Sequence, residues 1–377
     1  MPFCLFRFYR LLLHLVCALC CVWLCSCASP ESLSERVGVA YADLLSLEEK
    51  EGYIQATLSD GFSQGSQKQV YLLVPREAPL PSNLPEGIIL RTPLQRVVAC
   101  QSVHAALLCD LGADRSIVGL CDTDYIIDTR LQSLLRSGVA QDMGASYAPN
   151  AERLAANRPE AIITSPIEGV SLQPLGQLGV PVIACADYME HSALGRAEWM
   201  KFFGLLTGQS VRADSLFSVV TTAYDSLSVA AAQASKRPRY ISDRSQGSTW
   251  LMPGSDSFLA KLYADAGADY VFKDRKGAGS VSLPLETVVA KGHEADIWLI
   301  KYGANHTLSY ETLAGEQAAY RSLRPWREHR VFVCNTLTVP YYEETPFRPD
   351  LLLRDMVKIF HPEVLPHHHL RYYAPLR

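Results

Sequence analysis

The 377-residue sequence lacks the excess of basic charge that a nucleic-acid surface normally carries: 35 Lys and Arg stand against 39 Asp and Glu, a net charge of −4. Beyond residue 27 no apolar run is long enough to span a bilayer, and no low-complexity tract occurs. Cysteine is sparse in the body of the chain, because six of the eleven precede residue 28. The other five, Cys100, Cys109, Cys121, Cys185 and Cys334, are odd in number, scattered singly and free of any CxxC pair. That distribution describes neither a disulfide scaffold nor a metal knuckle, and reads as mostly small core residues, although an oxidising compartment permits one or two bridges. Catalytic signatures are missing as well. There is no Gly-rich phosphate loop ending in Gly-Lys-Ser/Thr, no HExxH and no GxSxG elbow, and Gly254-Ser255-Asp256-Ser257 reads as a helix entry. What is present is an ordinary globular composition, 48% hydrophobic and 20% charged, with length enough for two domains.

The N-terminus departs from this. Arg7 and Arg10 precede an apolar segment from Leu11 to Leu24, and the chain turns polar at Ser29-Pro30-Glu31, the layout of a secretory signal. Leu24-Cys25-Ser26-Cys27 resembles a bacterial lipobox, which implies lipidation at Cys27. Cys25 departs from the usual residue there, and Cys21 is a rival acceptor. Residues 28–36 then read as a polar tether.

The body is organised around Ser210 to Ser235. Ala213, Leu216/Phe217, Val220, Ala223/Tyr224, Leu227, Ala230/Ala231 and Ala234 mark one buried stripe on a long helix, with Ser210 as N-cap and Lys236-Arg237-Pro238 as its stop. Residues 51–58 and 69–74 read as strands ahead of a proline-rich connection. Short apolar strands then alternate with helices on both sides of the rod: 96–100, 117–120, 161–164 and 179–184 before it, and 239–242, 296–300 and 330–334 after it. This predicts an α/β fold of two three-layer lobes with mainly parallel sheets, an N-terminal lobe over 37–207 and a C-terminal lobe over 237–377, joined by a single helix within 208–236. Ligands in such sheets bind beyond the carboxyl ends of the strands, in the cleft between lobes.

Several segments carry a resemblance. LGADRSIVGL at 111–120, YAPNAERLAANRPEAIIT at 147–164, LGVPVI at 178–183, SDSFLAKLYADAGADYVF at 255–272, SLPLETVV at 282–289 and PDLLLRDMVKIFHPEVLP at 349–366 resemble the ABC-importer substrate-binding proteins whose two lobes are bridged by one long helix, the receptors for vitamin B12, haem and ferric siderophores. ADYMEHSALGRAEWMKFFG at 186–204 suggests the branch found in Bacteroidetes-type lipoproteins. The likeness covers roughly 37–377, with Ala295-Asp296 where the family often has Pro-Asp. It implies a monomeric, lipid-anchored protein without enzymatic activity, facing the periplasm, which captures an iron chelate, haem or cobalamin and delivers it to a permease dimer with its ATPase. A lipid-anchored chelatase is the rival reading.

The same resemblance places permease docking on Glu152 and Glu286, acids in the first turn of a helix in each lobe, where the helix dipole favours a carboxylate. Loops after the strands supply ligand-contact candidates: Ser102, His104, Tyr125, Tyr147, Tyr188, Trp250, Tyr341 and Tyr342. Their aromatic rings offer large rigid area, with Tyr302 as a further member, and Arg244 and Arg348 are suited to carboxylates or an anionic chelate. Lone histidines such as His306 and the His367-His368-His369 run are not read as metal sites.

Overall fold

Two separate parallel sheets flank the long helix. The computed structural model describes residues 38–377 except 63–67 and 171–172; the signal segment and Cys27 lie outside the described residues. In the N-terminal lobe the strands Val97–Ala99, Ile117–Leu120, Gln141–Asp142, Ala161–Thr164 and Val182–Ala184 are all parallel, in the spatial order 182–184, 161–164, 97–99, 117–120, 141–142. The residues of the three central strands, 97–99, 117–120 and 161–164, are buried on both faces, which is why they read as continuous apolar runs and not as alternation, whereas the edge pair Gln141–Asp142 is exposed. Val98, Val118, Met143, Leu154 and Ile162 form a core cluster beside Cys100 and Cys121.

The C-terminal lobe orders its strands Asp269–Tyr270, Arg239–Ser242, Ile297–Tyr302 and Val331–Asn335 in parallel, with the tail strand Ala374–Pro375 antiparallel at the edge. Besides the small ladder of 144–145 with 148–149, two larger sheets among the described residues go beyond the two-lobe expectation. Residues 45–92 build a four-stranded sheet ahead of the first lobe, docked where the Tyr71 hydroxyl donates to Val182 O at 2.8 Å. A three-stranded antiparallel sheet of 245–246, 249–253 and 280–284 sits beside the second.

The bridging helix runs Ser210–Ala232, 23 residues and so about 35 Å. Ala213, Phe217, Val220, Tyr224, Leu227 and Ala231 are its buried stripe, at the expected three-and-four spacing. Gln209, not Ser210, occupies the N-cap position, and the helix stops before Lys236. On one flank it packs against the helix Met200–Thr207 and on the other against Pro349–Phe360. Gly204 makes the first contact close, since a Cβ there would lie 2.7 Å from that of Ala213. One rod therefore carries a helix from each lobe.

The segment of residues 40–44, just ahead of the strand Leu45–Lys50, is tied down by two buried carboxylates. Glu198 accepts from the amides of Ala40, Tyr41 and Ala42, and Glu190 from those of Asp43 and Leu44, at 2.7–3.0 Å. Trp199 Nε1 donates to Glu190 and Lys201 Nζ to Glu198. Neither acid stands out in the sequence.

Candidate ligand cleft

Sheet order dictates where a ligand can enter. In the N-terminal lobe the chain leaves strand 97–99 for 117–120 on one side and later returns to 161–164 on the other, so the connections diverge beyond Ala99 and Thr164. In the C-terminal lobe it leaves 239–242 first for 269–270 and then for 297–302, so the divergence lies beyond Ser242 and Tyr302. A cavity sits at each place. Beyond the C-terminal sheet a cavity of about 770 Å³ is lined by Asp243, Arg244, Lys301, Tyr302, Thr336 and Tyr342, among others. Beyond the N-terminal sheet a smaller one of about 230 Å³ has Tyr147, Thr164, Ser165 and Ile167 in its wall. The loops past the two sheets meet: Ile127 N donates across the lobes to Glu343 Oε1 at 2.9 Å. The carboxyl ends of both sheets thus open toward one shared region.

The floor of the larger cavity is electrostatically set. Lys301 closes the apolar strand IWLIKY, its side chain only 15% exposed, with Nζ 2.8 Å from Asp243 Oδ1. Burial presses its ammonium toward deprotonation, but Asp243 and the nearby phenols outweigh that and the net direction is upward, so Lys301 stays charged. Arg244 is ion-paired to Glu316 at the rim. Both cations are compensated, yet both keep donor capacity for an incoming acceptor.

The predicted contact residues divide sharply. Tyr125, Tyr147 and Tyr342 are 70%, 73% and 58% exposed, and all three follow carboxyl ends of strands. Tyr125 ends a turn begun by Asp122, a non-glycine residue at φ 49°, and Ser146 N donates to Asp122 Oδ1, tying the Tyr125 and Tyr147 loops together. Ser102 is half-buried at the start of the helix Ser102–Asp110. Tyr188 is half-buried, its hydroxyl donating to Pro166 O at 2.6 Å, and burial pushes that phenol up to about 12.

Three expectations are corrected. His104 is fully buried, with Nε2 2.9 Å from Asp187 Oδ1, and Asp187 in turn bonds Arg196 Nε at 3.0 Å. Trp250 is fully buried between Trp298 and Tyr320, its Nε1 donating to Ser242 O at 2.8 Å. Tyr341 is buried against Tyr372 and Tyr373. All three are buried away from the cavities, although His104 Nδ1 is left without a hydrogen-bond partner. Arg348 also lies outside both cavities, held bidentate by Asp350 at 2.8–2.9 Å. Conversely, the sequence reading overlooked Lys301 and Asp243. The available signal was a single charge at the end of an otherwise apolar strand, which normally has no reason to be there.

Glu152 and Glu286 are exposed in the first turns of Ala151–Asn157 and Leu285–Gly292. No ion pair reaches either among the described residues. Nor is any group of three or more His, Cys, Asp or Glu side chains placed to hold a metal ion among those residues.

Residues 97–336 match the periplasmic binding protein family, which spans the core of both lobes and the bridge. The chain belongs to the periplasmic binding protein family. As a binding protein it is a solute carrier and not an enzyme. An uncharacterized lipoprotein of Methanocaldococcus jannaschii is 26% identical over 313 residues, covering 78% of this chain and 73% of that relative. Among solved structures, an Fe3+-hydroxamate transport protein from Saccharomonospora viridis superposes with TM-score 0.57 at 17% identity, over 71% of this chain and 94% of that one. A periplasmic heme binding protein from Pseudomonas aeruginosa does so with TM-score 0.56 at 18% identity, over 72% and 94%. These likenesses bear out the fold expected from the sequence, two α/β lobes with parallel sheets and one long bridging helix.

Proposed function

We propose that this binding protein captures a metal chelate, an iron siderophore or haem, between its lobes and hands it to an ABC permease. The carrying observation is the placement of Tyr125, Tyr147 and Tyr342. They are exposed by more than half and stand beyond the carboxyl ends of two different sheets, Tyr342 lining the larger cavity and Tyr147 the smaller. An exposed tyrosine costs little entropy to order and offers a flat ring with a polar tip, suited to a rigid chelate. Lys301 and Arg244 add fixed positive donors for a ligand rich in oxygen acceptors. Solved relatives of the same fold carry names that include an Fe3+-hydroxamate transport protein and a heme binding protein. In the same reading, lipidation at Cys27 anchors the chain to the cell envelope, and Glu152 and Glu286 dock it on the permease.

The test is a binding panel on residues 38–377: ferric hydroxamates, ferric catecholates, haem and cobalamin, followed by visible spectra, tyrosine and tryptophan fluorescence and thermal shift. A ligand at 100 times its Kd should add about 2.7 kcal/mol of stability. If no chelate shifts the melting transition or its own spectrum, the cargo class is wrong.

A further inference from the structure

Glu343 joins the lobes beyond their sheets by a hydrogen bond, at the place where its helix packs against the helix Ser102–Asp110 of the opposite lobe. It lies in the short helix Tyr341–Glu344, is 5% exposed, and accepts Ile127 N from the opposite lobe at 2.9 Å, with the Asp128 amide facing the same carboxylate. Its second oxygen is buried without a hydrogen-bond partner. The amides that face this carboxylate, those of Ile127 and Asp128, both belong to the opposite lobe.

Both ends of this contact carry an exposed tyrosine. Tyr342 precedes Glu343 and lines the larger cavity, and Tyr125 lies two residues before Ile127. Each end is also stiff. On the C-terminal side, Glu344 is clamped by Arg371 at 2.6–2.7 Å and by the Tyr372 hydroxyl, while the buried Asp355 holds the amides of Arg371 and Tyr372. On the N-terminal side, Gln132 Nε2 donates to Ile126 O, and Asp128 caps the helix Thr129–Arg136. A hydrogen bond between two stiff ends fixes their separation, whereas one between flexible ends does not.

We infer that Glu343 is a positioning residue: its bond to the Ile127 amide sets the distance between Tyr125 and Tyr342, and so the width of cargo that both lobes grip at once. This rests on the chelate-capture reading for its ligand, but not for its geometry. The class of ligand it selects is a rigid chelate broad enough to touch both tyrosines.

The experiment uses the full chain with spin labels on Val139→Cys and Lys273→Cys, exposed positions in opposite lobes. Interlabel distances are compared for the parent, Glu343→Ala, Glu343→Gln and Ile127→Pro, the last removing the donor instead of the acceptor. Glu343→Ala and Ile127→Pro should both broaden the distance distribution, and Glu343→Gln, whose amide oxygen still accepts, should restore it. For whichever chelate the parent binds, the alanine variant should lose about tenfold in affinity, mostly through faster release, since a lost hydrogen bond to a charged group is of that order. An unchanged distribution in Glu343→Ala overturns the inference, even if affinity falls. Should the parent bind no chelate at all, the function proposed above fails, and the distance measurement alone decides for or against the latch.

Discussion

Glu198→Ala is the substitution whose consequence the structure defines most fully. The carboxylate is completely buried and receives three backbone amides, Ala40, Tyr41 and Ala42, together with Lys201 Nζ at 2.8 Å. Bonds to a charged acceptor contribute about 1.5–3 kcal/mol each when measured singly. They do not add here, because Ala40 and Tyr41 are exposed enough for their freed amides to turn to water. Lys201, 17% exposed, loses this carboxylate and keeps its stacking over the Phe217 ring among its contacts. With the exposed amides turning to water, the loss of one charged acceptor shared by these donors gives an expected total of about 3 kcal/mol. For a chain of this size that is a fall in Tm of about 4 °C. The loss should also be local. Residues 40–44 lead into the edge strand Leu45–Lys50, so hydrogen exchange should accelerate at 40–44 and along that strand before it does in the parallel sheets. Glu198→Gln, which keeps one acceptor oxygen but turns an NH2 toward backbone donors, should fall between. Unaltered exchange at 40–44 in the alanine variant would refute the account of these carboxylates as the clasp.

Two buried acids should respond to pH in opposite directions. Burial pushes Glu190 up and its hydrogen bonds only partly oppose this, so its folded pKa exceeds the unfolded one; its contribution is complete below about pH 4 and lost as pH rises through the folded value, and the destabilisation by Glu190→Gln should shrink along that rise. Burial also raises Asp187, but Arg196 and His104 outweigh it and the net shift is downward, so Asp187→Asn should be most damaging above about pH 4 and progressively less so as acid protonates the parent; urea titrations at several pH values read both. Lys301→Met should weaken capture of an anionic chelate by about tenfold while leaving an uncharged one nearly unaffected, a difference that isothermal titration resolves. Glu152→Arg with Glu286→Arg should leave cargo affinity unchanged and abolish uptake in cells; transport at the parental rate would remove both residues from docking.

Much of the architecture is legible in residue order, because it rests on local periodicity. The stripe at Ala213, Phe217, Val220, Tyr224, Leu227 and Ala231 repeats at helical spacing whatever it packs against, and the doubly buried strands announce themselves as unbroken apolar runs. The three exposed tyrosines were accessible for a related reason, since each follows a strand end, where loops carry ligand contacts. His104, Trp250 and Tyr341 satisfy the same rule and are nonetheless core, because exposure depends on which way a side chain turns after the strand. Lys301 illustrates the converse: a charge in a buried strand looks like an error until Asp243, 58 positions earlier, is seen beside it.

By itself, then, the order of residues determined two α/β halves, the strut between them and the carboxyl end of each sheet as the entrance proposed for a ligand, all consequences of short-range pattern and chain connectivity. Only the tertiary structure decided which side chains face that entrance, that Glu198 and Glu190 gather the amides of residues 40–44, and that Glu343 reaches Ile127 across 216 positions of chain. Such pairings are set by how packed elements meet in space, and one-dimensional order carries no period from which to read them.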